Sequence, residues 1–272
     1  MHPRRSYSRW RLLLAAPRSG AENMARDSAL QARAARTGET VFSIYSWTRP
    51  TLSFGRHQPA AGLYDVERIR SANVDVVRRP TGGRAILHDH EVTYSVTAPV
   101  KDAAPLRETY ARINRILLDG LRRLGVDVEL ASPAERAPAP STRPCFETPG
   151  EGELVARGSK LVGSAQWRDE GALLQHGSIL VDDDQSSLPS FAAAAAAAVA
   201  GTGPQSDSIP RPATLHALLG RSPEIAEVAS AMFDAVRSLE DELATEMAEE
   251  EIRGDTMTHI PHFLDEGWTW RR

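Results

Sequence analysis

Hydrophobic and polar positions along this chain follow two rhythms, and the rhythm changes several times. From Ala21 to Arg36 the alanines, Met24 and Leu30 fall at helical spacing, and Gly38 supplies the stop. Val41–Tyr45 and Thr51–Phe54 read as short strands. Asp75–Arg78 precedes a Pro-Thr-Gly-Gly turn. Beyond it Val92, Tyr94 and Val96 alternate with Thr93, Ser95 and Thr97, the period of a strand with one buried face. Tyr110, Ile113, Leu117, Leu121 and Leu124 return to the helical period, with Gly125 at the cap. Glu153–Arg157, Gly158-Ser159 and Lys160–Trp167 predict a hairpin, and Ala172–Val181 a further strand. Ser222-Pro223 opens a helix with proline in its first turn. Its inward face is Ile225, Val228, Met232, Phe233, Val236 and Leu239. Strands and helices mixed in one block, with no internal repeat, indicate an α+β fold rather than a regular βαβ wind.

Other segments break the pattern. Residues 1–9 are rich in Arg and Ser and read as a loose tail. Residues 131–144, rich in Ala, Pro, Ser and Arg, read as a loop or lid. An alanine run over 192–200 and the stretch Pro204–Pro212 form a variable segment. Leu12–Ala16 faintly echoes a signal peptide, but it is too short for that role and Pro17-Arg18 interrupts it. The alanine run is far shorter than the ~20 residues of a membrane span. The expectation is a cytoplasmic protein without a membrane partner, whose thiol stays reduced. Glu240–Glu251 holds seven acidic residues and no basic one, and reads as a solvated face.

Composition narrows the choice. The chain has 272 residues, 41% hydrophobic and 25% charged, which suits a folded protein with a sizeable core and excludes a wholly disordered one. A formal charge of −4 removes any global basic field that would argue for nucleic acid. The single cysteine, Cys145, excludes an internal disulfide and any multi-cysteine metal site.

Four features carry candidate chemistry. Cys145 follows Pro144 in a loop rather than a core-like run, which disfavours burial as a small hydrophobe. A nearby ammonium would lower its pKa and make it a nucleophile. Lys160 is one of only two lysines beside thirty arginines, and two readings stay open for it: an exposed strand residue, or that ammonium. The run Arg78–Arg84 contains Gly82-Gly83, where backbone approaches a ligand closely, or which simply makes a hairpin turn. It is neither a phosphate loop nor a dinucleotide fingerprint. His88, Asp89 and His90, with His176, suggest metal ligands, but strand histidines are more often structural and no metal is assigned.

Taken together, the segments Gly20–Ala25, Arg49–Gly55, Arg78–Asp89 and Glu91–Val96 resemble the lipoate-protein ligase and octanoyltransferase superfamily, which also holds the biotin ligases. Cys145-Phe146, Gly158–Gln166 and Gln175–Leu180 resemble its Cys-dependent octanoyltransferase branch. The likeness runs from about Trp10 to Leu239. It implies one α+β catalytic domain, a mixed central sheet flanked by helices, over 10–250, with a tail at 1–9 and a C-terminal extension at 251–272. It implies transfer of an octanoyl group from octanoyl-acyl carrier protein to a lysine of a lipoyl-accepting protein such as the glycine cleavage H protein, without a cofactor. On this resemblance Cys145 holds the acyl thioester and Lys160 lowers its pKa. Arg79, Thr81, Gly82, Gly83 and His88 lie in the acyl-carbonyl and carrier pocket, and Gly163, Ser164, His176 and Gly177 line the acyl tunnel. Arg78, Arg79 and Arg84 would offer an acidic carrier a basic rim, or stand as ordinary solvated arginines.

ATP-using ligases of the superfamily usually carry a third glycine after the pair and Gly-Asn after His-Asp. Arg84 and Glu91-Val92 stand there instead and argue against adenylation. Three rivals remain: an ATP-dependent lipoate ligase, a lipoyl-domain amidotransferase, and a binding module without catalysis. A binding module needs neither Cys145 nor Lys160.

Overall fold

A computed structural model describes residues 9–100, 105–131, 152–169, 171–194 and 211–271. Cys145, the expected loop after residue 131, and most of the alanine run lie outside the described residues. In chain order the strands are β1 (Trp10–Leu14), β2 (Thr40–Tyr45), β3 (Thr51–Phe54), β4 (Asp75–Arg78), β5 (Ile86–His88), β6 (Glu91–Pro99), β7 (Glu129–Leu130), β8 (Leu154–Ala156), β9 (Ser159–Asp169), β10 (Ala172–Leu180) and β11 (Thr245–Glu246). The helices are α1 (Gly20–Thr37), α2 (Val66–Ser71), α3 (Leu106–Arg123), α4 (Leu215–Leu219), α5 (Ile225–Leu239), α6 (Arg253–Leu264) and α7 (Glu266–Thr269).

Local signals set most of these boundaries. Ser19 caps α1 in a capping box with Glu22, and Gly38 ends it with a φ of 73°. Eight strands pair in the order β11-β1-β2-β6-β10-β9-β8-β7, parallel across β11, β1 and β2 and antiparallel thereafter. A second sheet of three strands runs β4-β3-β5. The fold is therefore the expected α+β block with a mixed sheet. On one face of the large sheet α3 and α5 pack Ile116, Leu117, Met232 and Val236 onto Leu12, Phe42 and Tyr94. On the other, Met24 and Leu30 of α1 meet Leu13, Val41 and Tyr45, and Ile252 and Phe263 join the same cluster. The expected C-terminal extension thus packs α6 along α1.

Several expectations need correction. The alternation in β6 predicted one buried face, yet Glu91 to Thr97 are buried on both, because β6 is an interior strand covered by helices on either side. Pro223 lies before α5 rather than in its first turn, since Glu224 takes the extended N-cap conformation with ψ at 147°. Leu239, placed on the inward face, is half exposed where α5 ends. The acidic stretch after it is a solvated face only in part, since Glu242, Glu246 and Glu250 are exposed while others are paired. Glu240 pairs with Arg112, Glu249 with Arg18 and the fully buried Arg26, and Glu251 with Arg11 and Arg33. Among the described residues no helix is long and apolar enough to cross a membrane.

Candidate active site

A cleft of about 430 Å³ opens between the α1 face of the large sheet and the three-stranded sheet. Arg79, Gly83 and His88 line it from the small sheet and its turn, and Gly163, Ser164, His176 and Gly177 from β9 and β10. Met24, Tyr45 and Trp47 complete the wall. Seven of the nine pocket residues named from the sequence therefore meet in one cavity.

The floor of the cleft is a tight approach of two strands. Gly177 stands opposite Ser164, and a Cβ there would strike the Gly163 carbonyl oxygen and lie 2.8 Å from Tyr94 Cε1. The Tyr94 hydroxyl donates to Ser164 Oγ at 2.7 Å, so the floor beneath this pair is fixed. The turn above is held by Arg79. Its Nη2 donates to the carbonyls of Gly82 (2.9 Å) and Arg84 (2.7 Å), and its Nη1 to that of Ser53 at 3.1 Å. Gly83 then adopts a φ of 99°, which a side chain resists.

Two buried polar chains brace the walls. His176 on β10 places Nδ1 2.8 Å from Asp27 Oδ2 and Nε2 2.6 Å from Thr81 Oγ1. The carboxylate only accepts, so Nδ1–H donates to it, and Nε2 is hydrogen-bonded to the Thr81 hydroxyl. Tyr45 donates to the same Asp27 oxygen at 2.9 Å, and burial, then the Asp27 charge, pushes the phenol well above its ordinary pKa. Thr81 thus acts on the cleft through His176 rather than lining it, and Gly82 serves through its carbonyl. In the second chain His88 Nδ1 lies 3.0 Å from Glu91 Oε1, Nε2 meets Ser53 Oγ at 2.8 Å, and Trp47 stacks on the ring at 4.1 Å. Trp47 Nε1 donates to Glu91 Oε1 at 2.8 Å, and Thr93 Oγ1 donates to the same oxygen. Burial alone would raise the Glu91 carboxyl. The His88 charge, with hydrogen bonds from His88 and Thr93, outweighs it and holds the carboxyl below its ordinary value.

Asp27, Glu91 and Trp47 were not named as site residues from the sequence. Asp27 had a signal: it lies three residues from both Met24 and Leu30, on the apolar face of α1.

Lys160 does not line the cleft. It is buried at the start of β9, with Nζ 2.8 Å from Glu153, whose carboxylate balances its charge. It is not an exposed strand lysine. Cys145 falls outside the described residues. The basic rim requires correction. Arg78 is fully buried and Arg79 nearly so, and both spend their N–H groups on backbone carbonyls. His90 does not share a face with His88: it lies exposed in the turn after β5, 2.9 Å from Asp184.

The family model of the lipoyl protein ligase A/B catalytic domain matches residues 19–237, which include every element around the cleft. The chain belongs to this family. Among its relatives, octanoyltransferase LipM of Kyrpidia tusciae is 46% identical over 190 residues, covering 66% of this chain and 68% of the relative. Octanoyltransferase LipM of Bacillus subtilis is 39% identical over 188 residues, covering 66% and 68%. Solved structures share the fold. A lipoate-protein ligase A bound with ATP superposes with a TM-score of 0.74 at 19% identity, covering 96% of this chain and 98% of that one. A bipartite lipoate protein ligase from Thermoplasma acidophilum gives 0.74 at 20% identity, covering 97% of each.

Proposed function

We propose that this family member is an acyltransferase that moves an octanoyl group from octanoyl-acyl carrier protein to a lysine of a lipoyl-accepting protein, in lipoate biosynthesis. The observation that carries the reading is the 46% identity with an octanoyltransferase over 190 residues. The glycine-walled cleft supports it, since an apolar slot suits an acyl chain whose CH₂ groups each gain about 0.8 kcal/mol on burial.

In this reading the Cys145 thiolate attacks the donor's thioester carbonyl. A new C–S bond forms, the donor's C–S bond breaks, and the carrier thiol leaves with a proton. The acceptor amine then attacks the acyl-cysteine carbonyl, so that the C–N bond of the amide forms, the acyl C–S bond breaks and the Cys145 thiolate is released. Lys160 as its ammonium stabilises the thiolate and gives the departing carrier sulfur its proton in the first step, which leaves it neutral to take the amine's proton in the second. Backbone N–H groups of the turn held by Arg79 face the developing oxyanion. The glycine cleavage H protein is the expected acceptor, and the reaction belongs in the cytoplasm. Residues 10–250 make the catalytic domain in this scheme.

Intact mass spectrometry after mixing with octanoyl-acyl carrier protein tests it. The expected result is one octanoyl increment mapping to Cys145, absent in Cys145→Ala. Octanoyl-adenylate made from free octanoate and ATP, without that adduct, would make the protein a ligase instead. Lys160→Met should slow acyl-enzyme formation and shift its pH optimum upward.

A further inference from the structure

The turn beside the cleft carries a cluster of positive charge that the scheme above leaves unused. Arg56 follows Gly55, and its backbone N–H donates to the Thr81 carbonyl at 2.7 Å, fixing it beside the Gly82-Gly83 turn. Its guanidinium lies 4.1 Å over the Trp167 ring and 5.5 Å over Trp268. The Arg271 guanidinium lies 4.1 Å over the same Trp268 ring and donates to the Arg56 carbonyl. Trp167 lies on β9 two residues beyond Ala165, which lines the cleft, and so points to the same face of the sheet. The cluster thus bridges the Thr81–Gly83 turn and β9.

Neither Arg56 nor Arg271 makes an ion pair among the described residues. Arg271 is held below its ordinary pKa, first by burial and then by the charge of Arg56. Arg78 behind it is pushed down to about 10, by burial and then by Arg271 and Arg79. The nearby Asp265 carboxylate is occupied with capping α7, accepting from Gly267 N at 2.8 Å. A guanidinium stacked on an indole keeps its in-plane N–H donors available for carboxylates. Like charges gathered without a counter-charge gain most when an anionic surface arrives. The chain's overall charge of −4 makes the cluster a local feature rather than part of a general basic field.

We infer that the face formed by Arg56, Trp167, Trp268 and Arg271 docks the acidic surface of the carrier protein that delivers the acyl thioester. This rests on the carrier-borne donor proposed above. It moves the rim from the buried Arg78 and Arg79 to the partly exposed Arg56 and Arg271. The carrier's acyl arm then enters the cleft between the Thr81–Gly83 turn and β9.

The test compares two donors, octanoyl-acyl carrier protein and octanoyl-N-acetylcysteamine, which has the same thioester without a protein. Arg56→Glu and Arg271→Glu should each lower kcat/KM with the carrier donor about tenfold, mainly through KM. Rates with the short thioester should stay within about twofold, because the protein surface is not used there. The wild-type rate with the carrier should fall with added salt, and the Arg56→Glu rate should not. Equal losses with both donors would make the cluster structural and overturn the inference, as would no loss with either. Arg271→Glu leaves the backbone carbonyl that Arg78 uses, so it guards against a folding defect in the other variant. A wild-type protein that takes octanoyl from the short thioester but not from the carrier also overturns it. One that takes octanoyl from neither donor overturns the transferase reading itself.

Discussion

Gly177 and Gly82 both belong to the cleft, and only one of them lacks room for a side chain. A methyl at Gly177 would collide with the backbone of Gly163, and strand backbones cannot step aside without breaking the β9–β10 ladder. Gly177→Ala should therefore cost about 3 kcal/mol or more, lowering Tm by about 6–12 °C. At Gly82 the space where a Cβ would stand is open to 4 Å, so Gly82→Ala should melt within about 2 °C of wild type. Any loss of transfer rate in that variant would then report on ligand approach and not on folding. Glu91 is the second test at this scale. Its carboxyl is more acidic folded than at its ordinary 4.5, so its stabilisation is complete above that value and fades as pH falls through the folded pKa. Glu91→Gln should cost about 3 kcal/mol near neutral pH, and the gap to wild type should narrow in acid unfolding series below about pH 4.5. A constant gap across the series would mean that the His88–Glu91 charge pair contributes nothing. Gly82, Gly83, His88 and His176 stood out as a glycine pair and strand histidines, whereas Gly163 and Gly177 came as candidates only with the family resemblance. Asp27 and Glu153 were not, because a carboxylate on a helix or a hairpin resembles a surface residue until its partner is known. For His176 that partner is 149 positions away.

Among the elements, the hairpin β8–β9 was legible, but its turn falls at Arg157-Gly158 rather than Gly158-Ser159, and that turn carries a local cost. Arg157 and Gly158 both have positive φ, 51° and 77°, the geometry of a two-residue turn that favours Asn-Gly. Arg157→Asn should therefore stabilise the protein by about 0.5–1 kcal/mol, read as a Tm rise of about 1–4 °C. A lower Tm would show that the Arg157 side chain makes a contact worth more than the backbone strain. Strand β6 teaches the opposite lesson. Its alternation of Val and Tyr with Ser and Thr looks half exposed, yet its hydroxyl face is covered by α1 and carries the cross-strand neighbours of His176. Alternation reports which residues share a face; whether water reaches that face depends on what packs there.

At the scale of the whole molecule, the chain's last segment closes onto the site. Arg78 Nε donates to the carbonyls of Trp268 (2.9 Å) and Thr269 (3.1 Å), and Nη2 to that of Arg271 at 3.1 Å. Nη1 donates to Gln58 O at 2.7 Å, so one buried guanidinium ties the segment to the loop beside the Gly82-Gly83 turn. Removal of residues 265–271 would strand that charge, and should cost about 3–5 kcal/mol. Arg78→Met in the shortened chain should recover part of the loss, as measured by urea unfolding. If it recovers none, packing of Trp270 on Phe54 is the larger contribution. What the sequence by itself determined is what short-range physics decides: the caps of α1, the turn glycines, the period of each helix and strand, and hence the α+β class. The family likeness added which of those glycines and histidines belong together. Only the tertiary structure decided the partners of the charged groups: Arg78 with the chain's last carbonyls, Glu249 with Arg26, Glu153 with Lys160, Asp27 with His176. A buried charge must be paired wherever the packing of distant elements places a counterpart, and no local pattern encodes that distance.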